Sequence, residues 1–179
     1  MTPRAGARVT APAFADAARG FTLIELMVTL AIVGILAAGL FPLAELDRRR
    51  EREQELRQSL REIRAAIDAY KRATDEGRIA RTVNASGYPP RLEVLVEGAP
   101  DAKSSDPKRI YFLRRLPADP FAPDFARAGA RTDTRAAAAS WGRRSYASPA
   151  DAPAEGEDVF DVYSLAEGSG LNGLAYRQW

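Results

Sequence analysis

The 179 residues include no cysteine and no histidine. Without cysteine there are no disulfides, thiolate metal sites or thiol nucleophiles. Without histidine the commonest general base and the commonest metal ligand are both missing. Any catalysis would have to run on Asp, Glu, Ser, Thr, Lys or Tyr alone. Charge of one sign is scarce as well: 26 Lys and Arg against 24 Asp and Glu leave +2. That excess sits in residues 1–20, where Arg4, Arg8 and Arg19 face only Asp16. The rest of the chain is balanced, so global charge gives a nucleic acid nothing to bind and none is expected as a partner. Long uncharged runs are also rare, and a single one stands out: Leu26 to Ala44, LMVTLAIVGILAAGLFPLA.

Nineteen uncharged residues, at about 1.5 Å each, reach roughly 28 Å as a helix, close to the hydrocarbon thickness of a bilayer. The expectation is one membrane span. The Arg-bearing leader would lie on the cytoplasmic side and everything after Ala44 outside. A secretory signal peptide is the rival reading, but its apolar region is usually about 7–15 residues and ends at a small-residue cleavage site on the far side. Here the run is longer and continues into a charged helical pattern.

The junction Arg19-Gly20-Phe21-Thr22-Leu23-Ile24-Glu25-Leu26 resembles the prepilin processing motif of type IV pilins and type II secretion pseudopilins. The resemblance implies that a membrane prepilin peptidase cuts after Gly20 and methylates the new amino terminus at Phe21. Glu25 falls fifth after that cut, where the family carries a glutamate, and Pro42 falls where the family often carries a proline. Pro42 also removes a helical hydrogen bond and bends or weakens the last turn of the run. Gly34 and Ala38 form a small-xxx-small pair that permits close helix approach. Glu25 itself is costly in a membrane, about 2.5–3.5 kcal/mol on insertion scales, and no Lys or Arg lies between Phe21 and Asp47 to pair with it. Either it is tolerated near the cytoplasmic headgroups, or it pairs with the amine that cleavage creates at Phe21, in its own subunit or in a docked neighbour.

After the span, ten of the thirteen residues from Glu45 to Arg57 are charged, with both signs interleaved. Such a run reads either as a solvated helix face or as a source of ion pairs between subunits. Leu56, Leu60, Ile63, Ile67 and Tyr70 follow at spacings of 4, 3, 4 and 3. They form one apolar stripe on a helix, expected to pack on the protein's own C-terminal domain. Arg49 and Glu53 break the stripe upstream, which argues against a free coiled coil. Helix signals fade at Thr74-Asp75-Glu76-Gly77. Pro89-Pro90 can open a short helix carrying Leu92, Leu95 and Val96. The stretch Ile110-Tyr-Phe-Leu-Arg-Arg-Leu-Pro-Ala-Asp-Pro120 resembles the G-type major pseudopilins through Leu116, Pro117, Asp119 and Pro120. Residues 122–140 hold few large apolar groups and read as a surface insertion. Trp141–Tyr146 and Asp158–Ser164 read as two short strands.

These readings combine into an α+β fold of the type IV pilin-like kind. A long N-terminal transmembrane and amphipathic helix would pack on a small C-terminal antiparallel β-sheet. The expected organisation is a cleaved cytoplasmic leader at 1–20, a transmembrane and filament-core helix at 21–44, an amphipathic stalk at 45–74 and a periplasmic α+β domain at 75–179. The carboxylate pairs Asp158/Asp161 and Asp119/Asp124 lie in strand-like or Pro-rich context with nothing suggesting a cleft, so no catalytic residues are expected. The resemblance implies a structural subunit of the periplasmic pseudopilus of a type II secretion system. It would be a single-pass bacterial inner-membrane protein that polymerises as a homo-oligomeric helical filament, alongside other pseudopilins and an inner-membrane assembly platform. A type IV pilin or minor pilin of a surface fibre is the alternative. G-type pseudopilins bind one calcium in the loop after the last strands, and Asp161 matches the start of that region. The family's downstream Asp cluster is missing here, and Glu167, Ser169 and Asn172 could supply only a few of the six to eight oxygens calcium wants. The expectation is a metal-free, hydrogen-bonded turn.

Overall fold

The computed structural model describes residues 20–83, 85–123 and 133–179, with the side chains of 38–44 left outside that description. The leader before Gly20, the side chains of Pro42 and Ala38, and Asp124 therefore lie outside the described residues. The chain divides into two compact units, Met1–Ala44 and Glu45–Trp179.

In the first unit Thr22 opens helix α1, Leu23–Asp75, which continues across the boundary into the second. Thr22 acts as the N-cap: its Oγ1 accepts a hydrogen bond from the Glu25 N–H at 3.2 Å, and its carbonyl accepts from the Leu26 N–H at 3.1 Å. A threonine three residues before a glutamate is the sequence pattern of a helix start, because the hydroxyl satisfies a first-turn donor that has no helical partner. Further along, Thr29 Oγ1 donates to the Leu26 carbonyl at 2.9 Å, so this lone hydroxyl among apolar residues satisfies itself. At the far end the Arg78 N–H bonds the Ala73 carbonyl and the Gly77 N–H bonds the Thr74 carbonyl, with Gly77 at φ 68°. This is a Schellman stop, which needs a left-handed residue at that position, and glycine supplies one without strain.

The core of the second unit is the stripe. Leu56, Leu60, Ile63, Ile67 and Tyr70 are all buried, and their neighbours include Leu92, Leu95, Leu113, Leu116, Trp141 and Val162. Burying one such aliphatic side chain contributes about 1.5–3 kcal/mol, so this face of α1 anchors the domain. Two small antiparallel ladders lie in the second unit. Strand β1 (Ala99–Pro100) pairs with β2 (Arg109–Ile110), and β3 (Trp141–Arg144) pairs with β4 (Asp161–Ser164), placing Trp141 opposite Ser164 and Gly142 opposite Tyr163. The Tyr163 ring covers Gly142 so closely that a Cβ there would fall 2.3 Å from it, which explains a glycine inside a strand.

Two expectations need correction. The short helix after Pro89-Pro90 is α2, Val94–Glu97, and it begins beyond both prolines. Pro90 sits outside it, and the buried Leu92 belongs to the turn between. Residues 122–140 are not wholly a surface insertion: Thr134–Ala139 forms helix α3, capped by Asp133, whose side chain accepts from the Arg135 N–H at 2.9 Å. Ala137 and Ala138 are buried in the core. Alanine lets this helix approach closely, and the lack of large apolar side chains hides its burial from a sequence reading.

Candidate functional site

Gly20, Phe21 and Thr22 are non-helical and exposed, directly ahead of the capped turn. Among the described residues, a Cβ added at Gly20 would meet no atom within 4 Å. Phe21 is 82% exposed, and Leu23, Ile24, Leu26, Met27, Leu30, Val33, Ile35 and Leu36 continue the exposed apolar surface along α1. Glu25 is exposed in the first helical turn, where a negative charge favourably meets the positive end of the helix dipole. Among the described residues, nothing beyond the helix's own backbone lies within 4 Å of a Cβ added at Gly34. Among the described residues no helix is long and apolar enough to cross a membrane. The last seven residues of the uncharged run, 38–44, are those without described side chains.

The second unit carries a different cluster, in the place where Asp161 pointed. Asp161 Oδ1 accepts from Arg64 Nε at 2.7 Å and Oδ2 from Arg144 Nη2 at 3.4 Å. The same Arg64 donates to the carbonyls of Val162 and Trp179 at 3.1 and 2.7 Å. Asp158 accepts from the hydroxyls of Ser86 and Ser145 and from the Tyr146 N–H. Asp119 accepts from Ser164 Oγ and the Phe121 N–H. Each of these three carboxylates ties two segments of backbone together, and none faces another as an acid–base pair would. At Asp161, where the resemblance implies a calcium, the carboxylate is already engaged. Both of that residue's oxygens are held by guanidinium groups, and among the described residues no three of His, Cys, Asp or Glu stand together to hold a metal ion.

Most of the charged run 45–57 is exposed, as the solvated-face reading expects, but Glu53 departs from both readings. Glu53 is only 3% exposed. Its Oε1 accepts from the Leu171 N–H at 2.8 Å and from the Tyr176 hydroxyl at 3.1 Å, and lies 3.5 Å from Arg49 Nε. Arg49 in turn donates to the Ser169 carbonyl and to the Tyr176 hydroxyl. Arg57 lies over the Trp179 ring at 4.3 Å. The run thus holds the C-terminal loop from within the subunit. The signal was present in the spacing: 49, 53, 56 and 60 keep the 4, 3, 4 phase of the stripe. Glu53 continues the buried face rather than breaking it, and the exposed Arg49 reaches it from one turn earlier.

Comparison with known proteins places the N-terminal site in context. The family described as prokaryotic N-terminal methylation motif matches residues 16–41, a segment containing Gly20, Phe21 and Glu25. Type II secretion system core protein G of Klebsiella pneumoniae is 33% identical over 112 residues, covering 60% of this chain and 71% of the relative. The protein of the same name from Escherichia coli is 32% identical over 112 residues, covering 62% of this chain and 71% of the relative. No solved structure matches significantly. The methylation motif opening α1, the α+β domain behind it and the breadth of these alignments agree: the chain belongs to the type II secretion system core protein G family, the pseudopilins.

Proposed function

We propose that this chain is a filament subunit made in precursor form, cut after Gly20, methylated on the amine of Phe21, and then stacked through the apolar face of α1 into a periplasmic pseudopilus that drives protein export. Its partners on this reading are further copies of itself, the prepilin peptidase, other pseudopilins and the inner-membrane assembly platform. It works mechanically rather than as an enzyme, anchored once in the inner membrane with Glu45–Trp179 on the periplasmic side.

The observation that carries the reading is Gly20. A peptidase needs an extended, accessible bond and close approach to it, and the bond after Gly20 is exposed, non-helical and next to a helix that starts two residues later. Among the described residues nothing crowds that position, and a glycine there permits the close backbone approach that an outside agent needs. The exposed side chains from Phe21 to Leu36 support the second half of the proposal. Contiguous apolar surface of this extent needs lipid or another apolar helix against it.

The test is to express the full chain in cells that carry a prepilin peptidase and to measure intact mass. Wild type should lack residues 1–20 and carry one added methyl group. Gly20→Val should retain the leader while melting at the wild-type temperature. A wild-type chain that keeps residues 1–20 would defeat the proposal, as would a Gly20→Val chain that is processed normally.

A further inference from the structure

The loop after β4 is ringed by cationic side chains. Arg64 and Arg144 hold Asp161, Arg57 stacks on Trp179, and Arg49 donates to the Ser169 carbonyl. A divalent cation entering this loop would meet four guanidinium groups, and the carboxylates beside them, Asp161 and Glu53, are already engaged by those groups. Several of the loop's carbonyls are already engaged. Leu174 accepts from the Gly170 N–H at 2.8 Å and from Trp179 Nε1 at 3.3 Å, Gly170 accepts from the Gly173 N–H at 2.9 Å, and Gly168 accepts from the Tyr176 N–H at 3.2 Å.

We propose that the Arg49–Glu53 pair on α1 does in this chain what a bound metal would do, closing the 168–176 loop onto the helix without calcium. The pair addresses both polarities of the loop backbone. The guanidinium takes a carbonyl, that of Ser169, and the carboxylate takes an N–H, that of Leu171. Tyr176 completes the clasp. Its hydroxyl donates to Glu53 and accepts from Arg49, while its ring is stacked on Phe121 at 4.4 Å and edge-on to Trp179 at 5.3 Å. A buried carboxylate is stable only with charge and hydrogen-bond partners around it, and Glu53 has both. Gly170 makes the geometry possible: any Cβ there would fall 2.2 Å from the Trp179 ring. The clasp lies wholly within Glu45–Trp179 and goes beyond the proposed function, because it holds whether or not subunits polymerise.

Hydrogen exchange followed by mass spectrometry on the full chain in detergent micelles tests this, first with chelator and then with excess calcium. Peptides spanning 165–179 report the loop, and peptides spanning 99–118 serve as the internal reference. Wild type should show equal protection of 165–179 in both conditions. Glu53→Ala should speed exchange there roughly ten- to a hundredfold, as expected for losing hydrogen bonds to a charged group. The reference peptides should stay unchanged, and Glu53→Gln, which keeps an acceptor oxygen, should fall between. If Glu53→Ala loosens the reference peptides as well, Glu53→Gln and Arg49→Ala, which removes the more exposed partner, provide the reading. The proposal is overturned if chelator alone deprotects 165–179 in the wild type and calcium restores it. It is equally overturned if the readable variants leave the loop as protected as wild type.

Discussion

Ser164 Oγ donates to Asp119 Oδ2 across 2.5 Å, and neither residue is more than 1% exposed. The other oxygen, Oδ1, accepts from the Phe121 N–H at 2.8 Å. Burial pushes the Asp119 carboxyl above its ordinary 3.8, outweighing the two hydrogen bonds that favour the charged form. Between the ordinary and the raised value the native state therefore holds a proton that the unfolded chain has released. The associated stability is fully present below the unfolded value and is lost as pH rises through the raised one. Asp119→Asn keeps an acceptor and cannot ionise, so its stability relative to wild type should increase as pH climbs from acid to neutral. Asp119→Ala leaves two buried donors without a partner and should cost about 1–3 kcal/mol. Urea midpoints across that pH range measure both, and a flat difference between Asn and wild type would refute the assignment.

Asp158 should show the opposite slope. Burial raises its carboxyl, but the Ser86 and Ser145 hydroxyls and the Tyr146 N–H together hold it below 3.8. A depressed value stabilises the fold above the unfolded pKa, and that stability is lost as pH falls through the folded one. Asp158→Asn is expected to cost about 1–3 kcal/mol at neutral pH, with the deficit shrinking in acid. The same urea series, run beside Asp119→Asn, should give slopes of opposite sign.

The stripe makes a stability prediction that separates the two parts of α1. Leu60→Ala or Ile63→Ala, both at buried positions, should lower stability by about 2–5 kcal/mol. Leu30→Ala, at an exposed position of the same helix, should leave the melting temperature of the domain unchanged. Unchanged melting of the Leu60 and Ile63 variants would mean that the stripe does not hold the subunit together.

Glu25→Ala should be inserted and cleaved normally, because the bond that caps the helix uses the backbone N–H of residue 25 and not its carboxylate. Assembly should nevertheless fall sharply, and Glu25→Asp should be intermediate, since an unpaired charge in an apolar filament core is heavily penalised. Filament yield from sheared cells, or cross-linking between cysteines placed on the stalk, would read this. Full assembly of Glu25→Ala would reduce Glu25 to a tolerated interfacial acid.

What the sequence made legible was whatever repeats or stands alone. The 56–70 stripe announces a helix face by period, and Gly20-Phe21 announces itself by position before an uncharged run. The clasp was hidden because Glu53 meets its partner Leu171 across 118 residues, and a glutamate within a charged run reads as solvated until that partner is known. α3 was hidden for a different reason. Asp133 ahead of an alanine run is a helix-start signal, but the run lacks large apolar side chains and so gives no hint that Ala137 and Ala138 are buried. The resemblance drew attention to Asp161 as the start of a calcium region, and only the fold reveals that the charges answering it are Arg64 and Arg144.

Because the Thr22 hydroxyl caps α1 from beyond the proposed cut, removing the leader would take away no part of that cap. Maturation on this view alters charge and keeps the cap. It would deposit an ammonium group beside the helix end that already carries the positive pole of the backbone dipole, a placement opposed by about 0.3–1 kcal/mol in exposed settings. A freshly cut subunit would then have a small electrostatic grievance at its tip that its precursor lacked. Any carboxylate able to reach that tip would relieve it, so the cut itself could tell a precursor from a subunit ready to dock.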